Sequence, residues 1–183
     1  SGPTVTLSDP NSANPGFTAP QVTETTYLEF ELVVSDGQIS SEAAVATVTV
    51  LDTNQPVDCS SAAPSTASLW PPNHKLVSVS IEGVTDPDNE DVTITITGVT
   101  QDEPVDGIGD GDTSPDAVIQ GDKVLLRAER SGKGNGRVYE IHFTADDGHG
   151  STCDGSVRVS VPHDKKKGEE AIDSGQNYDS TQQ

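Results

Sequence analysis

Tyr139-Glu140-Ile141-His142-Phe143-Thr144-Ala145-Asp146-Asp147-Gly148 and, one short turn later, Ser156-Val157-Arg158-Val159-Ser160-Val161 are the stretches that decide the fold class. In both, every second residue is apolar and those between are mostly polar or charged. That is the period of a strand with one buried face. The Asp-Gly break between them is a turn signal, so the pair reads as the closing hairpin of an antiparallel sheet. Moving towards the N-terminus, the same alternation places Val92, Ile94 and Ile96 on one face, and Val77, Val79 and Ile81 on another; Val124–Glu129 is a further strand. It recurs in Leu28, Phe30, Leu32 and Val34, then in Ala44, Ala46, Val48 and Val50, with Ser35-Asp36-Gly37-Gln38 as the connecting turn. Helical periodicity is nearly absent. Short strands parted by Gly, Asp and Pro turns predict an all-β chain of antiparallel sandwiches.

The two ends of this pattern rhyme. Val33-Val34-Ser35-Asp36-Gly37 precedes a Val-rich run, Ala43–Val50, as Phe143–Gly148 precedes Ser156–Val161. Each is a strand ending in Asp-Gly, a turn, and a closing strand. The reading is therefore of two domains: residues 1–51, a linker over 52–58, a second sandwich over 59–162, and a polar tail over 163–183. The linker is polar and contains Pro56. The tail opens with the charged spacer Lys165-Lys166-Lys167-Gly168-Glu169-Glu170 and shows no strand or helix period, which suits a solvated segment.

Composition narrows the function. The 183 residues carry 10 Lys+Arg against 30 Asp+Glu, a formal net charge of −20. Nucleic acid is excluded as a partner, since phosphate binding needs clustered cations, and an anionic membrane surface is disfavoured for the same reason. The longest apolar runs, such as Val124–Leu126, are far too short for membrane insertion. Aromatic residues make up 4% and hydrophobic residues 31%, lean for a large enzyme core. Surplus carboxylate suits divalent cations. Cys59 and Cys153 are the two cysteines; Cys153 shares the parity of Val157, Val159 and Val161. One disulfide, and an oxidising extracellular or cell-surface location, are expected from this.

The segments Phe17-Thr18-Ala19-Pro20, Phe30–Gly37 and Ala46–Val50 resemble the C-terminal part of a bacterial polycystic-kidney-disease-type (PKD-like) Ig-fold domain. The Asp-Gly turn, the strand after it and the linker Asp52-Thr53-Asn54-Gln55-Pro56 are similar to cadherin repeats. Leu69-Trp70-Pro71-Pro72-Asn73-His74-Lys75 and Arg127-Ala128-Glu129-Arg130-Ser131-Gly132 resemble modules near the ends of large secreted bacterial proteins. The resemblance implies tandem Ig-like β-sandwiches whose partners are neighbouring Ig-like domains or identical subunits. Such domains run to about 80–100 residues. The first here is shorter, so it is expected to lack its opening strands, supplied by preceding chain or by another chain through strand donation. A start at Ser1 with no Met in the chain fits a processed product or a piece of something longer.

The same resemblance implies calcium. Carried over by position, Asp86, Asp88 and Asp146 with the linker's Asn54, and Asp52 nearby, would supply ligands at a domain junction; Gln55 stands where a second acid is usual, which suits one or two ions. Ca²⁺ takes about six to eight oxygens, and close-set Asp side chains provide them. A second acidic run, Asp106–Asp116, places Asp110, Asp112, Ser114 and Asp116 at alternate positions among glycines. It lacks the EF-hand register, so a loose loop site is the form it would take. In both places ordinary turn formation is the competing reading. His74, His142, His149 and His163 show no metal-ligand spacing, which argues against zinc. Asp147, His149 and Ser151 sit on one turn, unlike a triad drawn from separate elements. Trp70 reads as a packing plug. No catalytic group and no cofactor other than Ca²⁺ is indicated. The expected role is a non-enzymatic, calcium-stiffened structural or adhesive segment of a surface stalk, adhesin or filament. The alternatives are a fibre subunit completed by strand donation and a carbohydrate-binding accessory module, with glycans as its ligands.

Overall fold

Every regular element among the described residues is a β-strand. The computed structural model describes residues 3–182 apart from 23, 108, 110, 112 and 165–169. In chain order the strands are β1 (Thr26–Leu32), β2 (Ala44–Val50), β3 (Ala63–Pro64), β4 (Leu76–Glu82), β5 (Thr93–Gln101), β6 (Ala117–Gln120), β7 (Lys123–Arg127), β8 (Arg137–Asp146), β9 (Thr152–Val161) and β10 (Tyr178–Asp179). The chain divides into two units, Ser1–Asn54 and Gln55–Gln183.

In the first unit β1 and β2 form an antiparallel hairpin. The turn sets its register: Asp36 Oδ1 accepts the amides of Gln38 and Ile39 at 2.9 and 2.8 Å, and Gly37 takes a φ of 89°, which favours glycine. Cross-strand partners share a face, so Leu28 with Val48, Phe30 with Ala46 and Leu32 with Ala44 make an apolar stripe. It is covered only at one end. Leu28 and Val50 are buried and the Phe30 ring packs on Phe17 at 5.0 Å, whereas Leu32 is 60% exposed.

The second unit holds two four-stranded sheets, ordered β10-β5-β8-β9 and β3-β4-β7-β6, with named strands paired antiparallel. Their inner faces meet in one apolar core. Val79, Ile81, Val124 and Leu126 come from one sheet; Ile96, Tyr139, Ile141, Phe143, Val157 and Val159 come from the other. The unit is thus all-β and sandwich-like. β8 and β9 pair along their whole length, and Phe143 faces Gly155. A Cβ at Gly155 would lie 2.6 Å from the Phe143 ring, so the glycine makes room for the aromatic. In β5 the alternation that half-buries Ile94 and buries Ile96 is broken by a bulge between Ile96 and Gly98, after which Val99 and Gln101 are buried.

Cys59 and Cys153 are disulfide-bonded, with Cα atoms 6.2 Å apart. The bond clips the entering chain to the start of β9. Leu69, at 2% exposed, is the plug at the chain's approach to β4; Trp70 beside it is 40% exposed, contrary to the packing role read from the sequence. The described part of the tail is held on the sandwich. β10 adds to the edge of β5; Ser180 donates from its amide to Val99 O and accepts from Ala117 N, joining the two sheets along their open seam. Ser174 N donates to Asp102 Oδ2, and Asn135 Nδ2 donates to Ile172 O. These contacts are mostly hydrogen bonds, which leave no apolar period in the sequence.

Candidate cation site

Two segments meet at the end of the second unit where the chain enters. One is the run before β5, Asp86-Pro87-Asp88-Asn89-Glu90. The other is the β8–β9 turn, Asp147–Ser151. Pairing of Thr93 with Asp146, and of Asp146 with Thr152, brings their bases together. The Asp-Pro-Asp run folds on itself: Asp86 Oδ1 accepts the Asp88 amide at 2.7 Å, and Asn89 takes a φ of 61°.

Of the acids expected to bind calcium, Asp88 grips the chain itself. Its Oδ2 accepts the Gln55 amide at 2.6 Å and its Oδ1 accepts Gln55 Nε2 at 2.8 Å. Asp86 is 8% exposed, and its Oδ2 is buried without a hydrogen-bond partner. Asp146 is exposed and accepts the Gly148 amide at 2.7 Å. Asp52 and Asn54 belong to the first unit. Asp110 and Asp112 lie outside the described residues.

The sequence reading overlooked Glu90 and set aside Asp147 and His149. Asp147 is 3% exposed, and its Oδ1 accepts the amides of His149 and Ser151 at 2.7 and 3.0 Å. Ser151 Oγ in turn accepts the Val57 amide, tying the turn to the entering chain. His149 Nδ1 lies 3.0 Å from the Asp147 carbonyl oxygen and 2.8 Å from Glu90 Oε2. The Glu90 side chain is only 7% exposed. The Asp147 carbonyl, and then the Glu90 charge, hold the imidazole above its ordinary value. Ligand atoms of Glu90, Asp147 and His149 all lie within 4.8 Å of one another.

Asp116, the remaining acid expected at a loop site, faces the core at the other end of the sandwich. It is fully buried, with Oδ2 2.6 Å from Arg137 Nη1 and accepting Gln101 Nε2 at 2.7 Å. Arg137 is also fully buried, 3.3 Å from Glu103 Oε2. Burial pulls the guanidinium down, but Tyr139, Asp116 and Glu103 outweigh it and the net direction is up. Burial pushes the Asp116 carboxyl from 3.8 to about 6, against the pull of Arg137 and the Gln101 hydrogen bond. A carboxyl raised on folding binds its proton more tightly in the native state. Its stabilisation is therefore full below about pH 4 and is lost as pH rises through 6. Denaturant unfolding at pH 4 to 7 is expected to show wild type losing stability relative to Asp116→Asn across that window; a difference that is flat or grows with pH would contradict this.

At the same end a cleft of about 410 Å³ is lined by Pro72, His74, Gly109, Gly111 and Arg130. His74 Nδ1 is 2.7 Å from Glu129 Oε2, and Thr113 Oγ1 donates to the same oxygen. The carboxylate sits between hydroxyl and imidazole, which is not the order nucleophile, base, acid. Comparison with family models, with curated proteins and with solved structures finds no match.

Proposed function

We propose that this chain is a non-enzymatic extracellular module built of Ig-like domains akin to PKD and cadherin repeats. It serves a structural or adhesive role in a surface stalk, adhesin or filament, and Ca²⁺ stiffens it. The observation that carries the calcium part is Asp86: its Oδ1 accepts the Asp88 amide, while its Oδ2 is buried without a hydrogen-bond donor, a group that a bound cation would satisfy. The disulfide suits an oxidising compartment. A second reading, a fibre subunit completed by strand donation, draws on the β1–β2 hairpin, whose apolar stripe leaves Leu32 60% exposed.

Calorimetry with Ca²⁺ and with a chelator, at fixed ionic strength, tests the calcium part. A site that binds only the native state stabilises it by about 2.7 kcal/mol at a hundredfold excess over Kd, a melting shift of several degrees. Asp86→Asn is expected to abolish most of that shift and leave the fold intact. Identical melting with and without Ca²⁺ would sink the calcium claim.

A further inference from the structure

We propose that β2 is a docking edge for a second copy of this chain, the two β2 strands pairing antiparallel about a two-fold axis at Thr47. The hairpin is a sheet of two strands, so β2 has β1 on one side, and among the described residues its other edge is open. Ala44 to Thr49 are all exposed, Val45 at 64% and Val48 at 38%. An open edge is a row of unpaired amides and carbonyls that templates another strand, and proteins blunt it with charge, proline or a bulge. β2 has none of these. From Ala43 to Leu51 the sequence holds no charged residue, proline or glycine, in a chain of net charge −20. The register of β2 with β1 runs unbroken.

The strand also complements itself. An antiparallel pair centred on Thr47 sets Ala44 opposite Val50, Ala46 opposite Val48 and Val45 opposite Thr49 of the second copy. On the apolar face a small residue thus meets a larger one at each step. The register keeps parity, so the face holding Leu28, Phe30 and Leu32 in one hairpin runs on into the same face of the other. Two stripes, each covered only at one end, become one across β1-β2-β2-β1. A two-stranded hairpin is marginal in water, whereas three or more strands with an apolar face hold together. The β1 edge offers no such match. Centred on the middle of β1, self-pairing sets Glu29 opposite Glu29 of the second copy, and like charges directly opposite repel. Pairing of like edges closes at two copies, whereas strand donation joins unlike surfaces and adds chain after chain.

This pairing does not rest on the calcium reading, and it stands if the calcium shift proves absent. The test is sedimentation equilibrium of the full chain. A monomer–dimer equilibrium is expected over roughly 10 µM to 1 mM, as suits an interface at the small end of the range. It should tighten with added salt, because the two-fold brings Glu42 of one copy towards Asp52 of the other at each end. Thr47→Glu should weaken the dimer about tenfold or more, and mixing it with Thr47→Lys should restore association, which also shows that both variants keep the hairpin. Thr47→Cys should cross-link into a disulfide dimer in air-oxidised buffer, since the two substituted residues face each other at roughly 5 Å. Thr49→Cys should not, its two copies lying about 14 Å apart along the strands. A wild-type chain that stays monomeric to about 1 mM would overturn the proposal. So would an open-ended series of oligomers, which would favour strand donation, or equal cross-linking from positions 47 and 49.

Discussion

Arg137→Met is expected to destabilise the second unit by about 3–5 kcal/mol at neutral pH. The guanidinium is wholly inside the protein, where it faces Asp116 at 2.6 Å and Glu103 at 3.3 Å. Removing it strands two carboxylates in the interior, and the desolvation cost then falls on unpaired charge. The double variant Arg137→Met with Asp116→Leu should recover the share of the loss that belongs to Asp116, because a buried ion pair replaced by apolar side chains of similar volume is close to neutral; Glu103, less fully buried, keeps the Ser131 amide as a donor. Urea unfolding of the two single variants and the double variant gives the coupling directly. A single-variant loss under about 1 kcal/mol would mean that the pair is not desolvated as described.

Cys59→Ser with Cys153→Ser should cost the second unit about 4–5 kcal/mol. The bond closes a loop with a sequence separation of 94, and the entropy removed from the unfolded chain grows with loop length. For a unit of this size the loss corresponds to a fall in Tm on the order of 15 °C. Thermal unfolding of the double serine variant beside wild type measures it. A drop of only a degree or two would show that the entering segment is held by its other contacts, such as the Asp58–Thr85 bridge.

Those two predictions rest on features of unequal legibility. The disulfide could be read from parity: Cys153 keeps the inward phase of Val157 and Val159, and its partner is the only other cysteine. The alternating strands β1, β2, β4, β5, β8 and β9 were equally legible, because one buried face imposes a period of two. Arg137 was not. It follows a glycine-rich turn, at a position where an arginine would ordinarily reach solvent, and only tertiary pairing shows that it is buried. The two-residue strands β3 and β10 are too short to carry a period. Glu90 and His149 lie in separate elements, so no local spacing announces their approach to 2.8 Å. The acids of the Asp-Pro-Asp run were visible, but the sequence could not say that Asp88 would spend both oxygens on Gln55.

The position of the disulfide also fixes how the second unit would carry a mechanical load. Tension applied between the chain before Cys59 and the chain at Gln183 crosses directly to Cys153 through the S–S bond. Strands β3 to β8 lie on the closed loop and are out of the load path. Beyond Cys153, the stretch to Gln183 that can be drawn out is roughly 30 residues or about 100 Å at full extension; ahead of Cys59 it is only the short run from Gln55. Within the longer stretch the tail peels from β5 first, bond by bond, while β9 is loaded along its ladder with β8. Pulled in this way, the unit lengthens by a limited step with most of its core strands still in place.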